Sequence, residues 1–236
     1  MEYEYPWQIF VEWPTKYSNP HCGGSVISQQ HVVTAAHCVP GWKKRKQVLL
    51  YDFIMEHPWY MRVSLGDHNW KDKKFKFVTL SNIVVHPEEW DVAIFTLSKK
   101  INFSNKISPI CLPATDDDHA GRLAVITGWG FTKDNFIPNV HPQPPQPPEL
   151  HVANVTIMSD GECAEQLRQL EDYLRSQEMC SIEFGSTCNG DSGGPMFLEE
   201  FNRYCIKVNN IIQLVQSSTL FILLCFQCLY IKYNVI

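Results

Sequence analysis

No apolar run in these 236 residues reaches the roughly twenty needed to cross a bilayer. The run at 219–231 is shorter and contains Gln227, so a membrane partner is not expected. The sequence does not open like a secretory leader either. Met1-Glu2-Tyr3-Glu4 is acidic and no apolar core follows it, so the expectation is a sequence that starts inside a longer protein. A strong charge of either sign is also missing. Lys and Arg number 20 against 25 Asp and Glu, a formal net charge of −5 that gives no reason to expect nucleic acid as a partner. His, Cys and acidic residues fall at no spacing that suggests metal ligands, so no metal site is expected.

What is present is 44% hydrophobic and 12% aromatic, enough for a globular core. Nine cysteines point to an oxidising compartment. The sequons Asn102-Phe103-Ser104 and Asn154-Val155-Thr156 are compatible with secretion. Short β-type runs recur between turn signals at 9–11, 25–27, 32–36, 62–65, 81–86, 93–97, 123–127 and 152–157, a spacing that suggests an all-β barrel or sandwich. One helix is expected from Asp160, its N-cap, with Cys163, Leu167, Leu170 and Leu174 at helical spacing. Two segments read as surface insertions. The stretch 138–148 holds too many prolines for an interior strand, and 41–61 carries Lys43-Lys44-Arg45-Lys46 and then Pro58-Trp59-Tyr60.

Three segments carry chemistry. Gly190-Asp191-Ser192-Gly193-Gly194-Pro195 places a serine in a glycine-built turn, where the backbone can aim N–H groups at one point without a Cβ clash. Alone, Gly190-Asp191-Ser192-Gly193 would more often be a polar turn. Thr34-Ala35-Ala36-His37-Cys38 ends a β-type run with a histidine among small residues, and a lone histidine is usually inert. Asp91-Val92-Ala93-Ile94 opens an apolar strand with an acid. Together they supply a base, an orienting carboxylate and a nucleophile, in the order His, Asp, Ser.

With Tyr5-Pro6-Trp7-Gln8, Cys22-Gly23-Gly24-Ser25, Leu65-Gly66-Asp67-His68, Ile110-Cys111-Leu112-Pro113, Thr127-Gly128-Trp129-Gly130 and Cys188-Asn189, these segments occur in one order from residue 5 to about 198. In that set the chain resembles a trypsin/chymotrypsin-type serine protease. The resemblance implies two six-stranded Greek-key barrels, the second incomplete here, and one short helix. It divides the chain into an N-terminal barrel at 1–115, a partial C-terminal barrel at 121–198 and a non-family apolar tail at 199–236. It implies a secreted, extracellular endopeptidase in which His37 is the general base, Asp91 orients it, Ser192 attacks, and the N–H groups of Gly190 and Ser192 form an oxyanion hole. No metal or organic cofactor is implied. Protein or peptide substrates and protease inhibitors are the implied partners. Ser186 falls at the base of the primary specificity pocket, where a neutral residue points to aromatic or large apolar side chains.

The resemblance also implies the disulfides Cys22–Cys38 and Cys163–Cys180. Ala124 and Leu198 stand where another family disulfide would be. Cys111 is unassigned, and Cys205, Cys225 or Cys228 could each replace the usual partner of Cys188. Asp191 matches the acid that pairs with a new amino terminus on zymogen activation. The activation sequence is not present ahead of Tyr5, so Asp191 is expected to turn outward, leaving the oxyanion hole poorly formed and the 236-residue chain with little peptidase activity. No family likeness is expected after Leu198. Two other readings stay open: an inactive homologue acting as a binding or regulatory module, and a nonfunctional truncated fragment.

Overall fold

The computed structural model describes residues 4–13, 21–42, 49–72, 76–86, 90–112, 119–131, 146–169, 179–182, 187, 190–200, 203–208 and 211–213. Six strands close a barrel: β1 (Gln8–Glu12), β2 (His21–Val26), β3 (His31–Thr34), β4 (Arg62–Leu65), β5 (Phe77–Val85) and β6 (Ala93–Leu97), in the order β1-β2-β3-β6-β5-β4. Closure removes the unpaired edges that an open sheet presents. Alternation along the strands fills the interior. Ile9 and Val11 point inward with Val26, Val32, Val63, Leu80, Phe95 and Leu97.

Strand β1 is buried at all five positions rather than alternately. Its second face is covered as well. Gln8 meets Thr127 of the neighbouring sheet, Phe10 packs on His21, Trp70 and Trp129, and Glu12 accepts two contacts from Arg62 at 2.9 and 2.8 Å.

The second body is a six-stranded open sheet built from β7 (Leu123–Gly128), β8 (His151–Ile157), β9 (Met179–Ile182), β10 (Met196–Glu200), β11 (Arg203–Val208) and β12 (Ile211–Gln213). Its order is β11-β10-β7-β8-β9-β12, with β12 parallel to β9. Ala124 and Leu198 lie buried in one apolar cluster with Ile126, Val155, Ile157 and Met196, so packing occupies the place expected for a disulfide. The sheet does not stop at Leu198, where the resemblance was expected to end. β10 continues to Glu200 and turns into β11, which pairs with it from Arg203 to Val208. A third cluster of Trp7, Val33, Ile110, Phe197 and Ile206 seals the seam between the two bodies, with Trp7 edge-on to Phe197 at 5.0 Å.

The helices correct the sequence reading twice. Among the described residues there are two α-helices rather than one, because Leu49–Glu56 of the 41–61 insertion forms helix α1, anchored by the fully buried Ile54. Helix α2 spans Asp160–Gln169 as expected, but Ser159 caps it instead of Asp160. The Ser159 hydroxyl accepts the N–H of Glu162 at 3.3 Å, and the Glu162 carboxylate accepts the Ser159 N–H and hydroxyl at 3.1 and 2.7 Å. That reciprocal exchange satisfies two donors at once, which a cap at Asp160 could not do. The basic run 43–46, the prolines at 138–145, Leu170, Leu174 and the tail at 214–236 lie outside the described residues.

Candidate active site

Strand β3 delivers Thr34 to the barrel rim, and the chain then turns through a short 3-10 segment, Ala36–Cys38. Ala35 and Ala36 are fully buried, so only small side chains fit there. The next residue, His37, is left half-buried at the rim. β6 runs antiparallel to β3, with Ala93 opposite Thr34, and so brings Asp91 beside His37. The Asp91 carboxylate holds the histidine at two points. One oxygen accepts the His37 backbone N–H at 2.7 Å and the other lies 2.6 Å from Nδ1. Nδ1 therefore carries the proton and donates it, which leaves Nε2 as an acceptor. About a quarter of each side chain is exposed, so the pair is partly shielded from water yet open on one side.

The disulfide Cys22–Cys38 fastens this turn to β2, closing a 16-residue separation as the resemblance implied. Such a loop is worth about 3 kcal/mol in the chain-entropy account. Cys22, His37 and Cys38 bring potential ligand atoms within 4.8 Å of one another. The two sulfurs are bonded to each other, so the group offers no thiolate to a metal.

Ser192 reaches the same place from the second body. Its carbonyl accepts the N–H of Gly23 at 2.8 Å, and the Cys38 sulfur lies 3.7 Å from that oxygen. Gly193, with φ +76, lets the chain pass over Thr34, whose hydroxyl donates to the Gly23 carbonyl at 2.8 Å. A Cβ on Gly193 would collide with the Thr34 hydroxyl. Gly190 also has positive φ, +105, a conformation open to glycine that orients the peptide entering Ser192. The fold thus gathers the His37, Asp91 and Ser192 segments at one rim.

Asp191 does not turn out into solvent as expected. It is half-buried, and its carboxylate accepts the Gly130 N–H at 2.7 Å while lying against Gly128 and Gly130. Neither glycine has a Cβ to exclude it, and the backbone donor gives the half-buried carboxylate a hydrogen bond, though not the amino-terminal charge expected to pair with it. Ser186 and Cys188 lie outside the described residues.

Two of the observed disulfides were expected, Cys22–Cys38 and Cys163–Cys180. The third was not: Cys111 pairs with Cys205 of β11. Backbone bonds flank it, from Cys111 N–H to the Tyr204 carbonyl at 3.1 Å and from Ile206 N–H to the Cys111 carbonyl at 2.9 Å. Sequence reasoning also missed Gln8 and Thr127. The Thr127 hydroxyl donates to the Gln8 side-chain oxygen at 2.7 Å across the seam, and the signal was a polar residue in each of two largely apolar strands.

Comparison with known proteins agrees with this geometry. The family model described as Trypsin matches residues 1–212, beyond the end of the resemblance at Leu198. The chain is 28% identical over 221 residues to Melanization protease 1 of Drosophila melanogaster, covering 84% of this chain and 52% of that protein. It is 30% identical over 210 residues to Serine protease filzig of the same species, covering 83% and 11%. It is 30% identical over 213 residues to CLIP domain-containing serine protease B4 of Anopheles gambiae, covering 82% and 55%. The chain therefore spans about half the length of two of these relatives and a small part of the third.

Proposed function

Because the chain belongs to the trypsin family of serine proteases, we propose that the protein carrying it is an extracellular serine endopeptidase working through His37, Asp91 and Ser192. The observation that carries this reading is the double hold of Asp91 on His37, which fixes the ring with Nε2 as its free acceptor. In the reaction His37 Nε2 takes the proton of the Ser192 hydroxyl as its oxygen bonds to a peptide carbonyl carbon. The carbonyl π pair moves onto oxygen, and the N–H groups of Gly190 and Ser192 receive that charge. The imidazolium then protonates the amine as the C–N bond breaks, leaving an acyl-enzyme. Water attacks that ester by the same route and restores the serine.

Asp91 stays ionised throughout and stabilises the imidazolium. Losing one oxyanion donor costs roughly 2.7–4 kcal/mol in comparable sites, so the backbone at Gly190 counts nearly as much as the three side chains. By the family pattern Ser186 would stand at the base of the specificity pocket, where a neutral side chain favours aromatic or large apolar residues before the cut bond. Protein or peptide substrates and protease inhibitors are the partners this chemistry fits. An extracellular setting is supported by the three disulfides, and no helix among the described residues is long and apolar enough to cross a membrane.

The test is labelling by a fluorophosphonate together with cleavage of a peptide library. Stoichiometric label on Ser192, lost in Ser192→Ala and His37→Ala, is the expected result, with cuts after Phe, Tyr or Leu. Absence of label in the secreted, active-site-accessible protein would overturn the mechanism. Cuts confined to Lys and Arg would overturn the assignment of Ser186.

A further inference from the structure

The reaction makes no use of the sequon Asn154-Val155-Thr156, and that sequon lies within strand β8 rather than in a loop. Strand alternation decides what it presents. Val155 is fully buried in the second core, so Asn154 faces the opposite way and is exposed, as is Val152 at 52%. Across the ladder Asn154 pairs with Val125, and Thr156 pairs with Leu123, which is 59% exposed. Asn154 therefore shares an exposed face with Leu123 and Val152, while Val125 opposite it is half-buried against the seam cluster. Exposed apolar surface of this kind forgoes about 25 cal/mol per Å2 and invites association. A chain of sugar rings, polar at the edges and carbon-faced on the flats, would cover it while remaining soluble.

We propose that Asn154 carries an N-linked oligosaccharide that lies over the Leu123 and Val152 face of β7 and β8. The inference rests on the extracellular reading above, because the donor is a lipid pyrophosphate-linked oligosaccharide of the secretory lumen. In the transfer, Nδ2 of Asn154 bonds to the anomeric carbon. The bond from that carbon to the pyrophosphate oxygen breaks, its electron pair leaves with the lipid pyrophosphate, and one amide proton is released. Transfer precedes sheet closure. In the folded chain Thr156, whose hydroxyl completes the sequon, is half-buried and paired on both sides, with Leu123 of β7 and Ile182 of β9. Asn102 is exposed too, beside Phe103 at 43%, but its neighbourhood is a single turn closed by Ser104 and Ile107 rather than an apolar sheet face.

The experiment expresses the full chain behind a cleavable leader in insect cells and measures intact mass before and after peptide-N-glycosidase. Treatment should remove one oligosaccharide from residue 154 and convert that asparagine to aspartate. Asn154→Gln and Thr156→Ala should lack this sugar, while Thr156→Ser keeps it. If a variant is not secreted, cell-free translation with microsomes reads the same transfer before folding. Removing the sugar from the folded protein should raise the fluorescence of an apolar-surface dye, and Leu123→Thr with Val152→Thr should abolish the rise. A secreted, leader-cleaved chain unmodified at Asn154 overturns the site, and an unchanged dye signal overturns the covering role. A leader-bearing chain that stays outside the lumen would instead sink the extracellular reading and this inference with it.

Discussion

Two carboxylates show how one side chain's partners set its chemistry. Asp91 accepts both the backbone and the ring N–H of His37, so its replacement by asparagine leaves an oxygen for the backbone bond but offers an amide N–H to the ring. The ring must then present an acceptor at Nδ1 and carry its proton on Nε2, the wrong tautomer for taking a proton from Ser192. Asp91→Asn should lower turnover about 10^4-fold with a melting temperature close to that of the parent, as steady-state kinetics and calorimetry would read. Glu162 is the second case. Bonds from the Ser159 hydroxyl, and then from its backbone N–H, hold the carboxyl below its ordinary 4.5. A group more acidic folded than unfolded adds stability above the ordinary value and loses it as pH falls through the folded one. Ser159→Ala should move the Glu162 titration upward and shift the acid fraying of α2 to higher pH, both measured by NMR. The segment around His37 was legible in the sequence because its small residues and adjoining cysteine match the family pattern. The cap was misread by one residue because Ser159 and Asp160 both suit an N-cap, and only the reply from Glu162 decides between them.

At the scale of elements, legibility followed locality. Strands β3, β4, β6, β7 and β8 could be read from short alternating or apolar runs, since each declares its buried face within a few residues. Strand β1 read as apolar for the same reason, although its uniform burial needed the second sheet to explain it. Helix α1 went unread inside an insertion whose charges and aromatics suggested a loop. Its apolar period is short, and only contact with the barrel shows that Ile54 is its anchor. The Cys111–Cys205 pair was beyond any local signal, for 94 residues separate the two and their meeting depends on β11 reaching back to Cys111, which lies in the chain between β6 and β7. A loop that long gives the crosslink a large effect on the unfolded chain. Cys205→Ser should cost roughly 2–5 kcal/mol in denaturant unfolding, in the range found for native bridges of secreted domains. Because this bridge holds β11 while Cys22–Cys38 holds the histidine turn, proteolysis of that variant should begin near 203–208 before the N-terminal barrel opens.

For the whole molecule, the decisive feature is that no single body contains the proposed reacting groups: His37 and Asp91 belong to the closed barrel and Ser192 to the body of the open sheet. Their alignment depends on the seam, which beside Ser192 is made of close backbone approaches. Gly23 donates its N–H to the Ser192 carbonyl, and a Cβ there would meet Gly194 Cα at 2.8 Å and its nitrogen at 3.0 Å. Gly24, one residue on, is equally crowded but on the other face of β2, where a Cβ would meet the Val33 carbonyl at 2.7 Å and Ile9 at 2.8 Å, all within the barrel. The pair separates stability from alignment. Overpacking of this kind costs typically about 1–3 kcal/mol, so both Gly23→Ala and Gly24→Ala should unfold more readily. Only Gly23→Ala pushes the two bodies apart, and its fluorophosphonate labelling rate per folded molecule should fall about a hundredfold, the loss that an ångström of misplacement can cause. Gly24→Ala should label within a few-fold of the parent once the unfolded fraction is allowed for. Equal rates in the two variants would mean that close contact across the seam does not set the serine against its base.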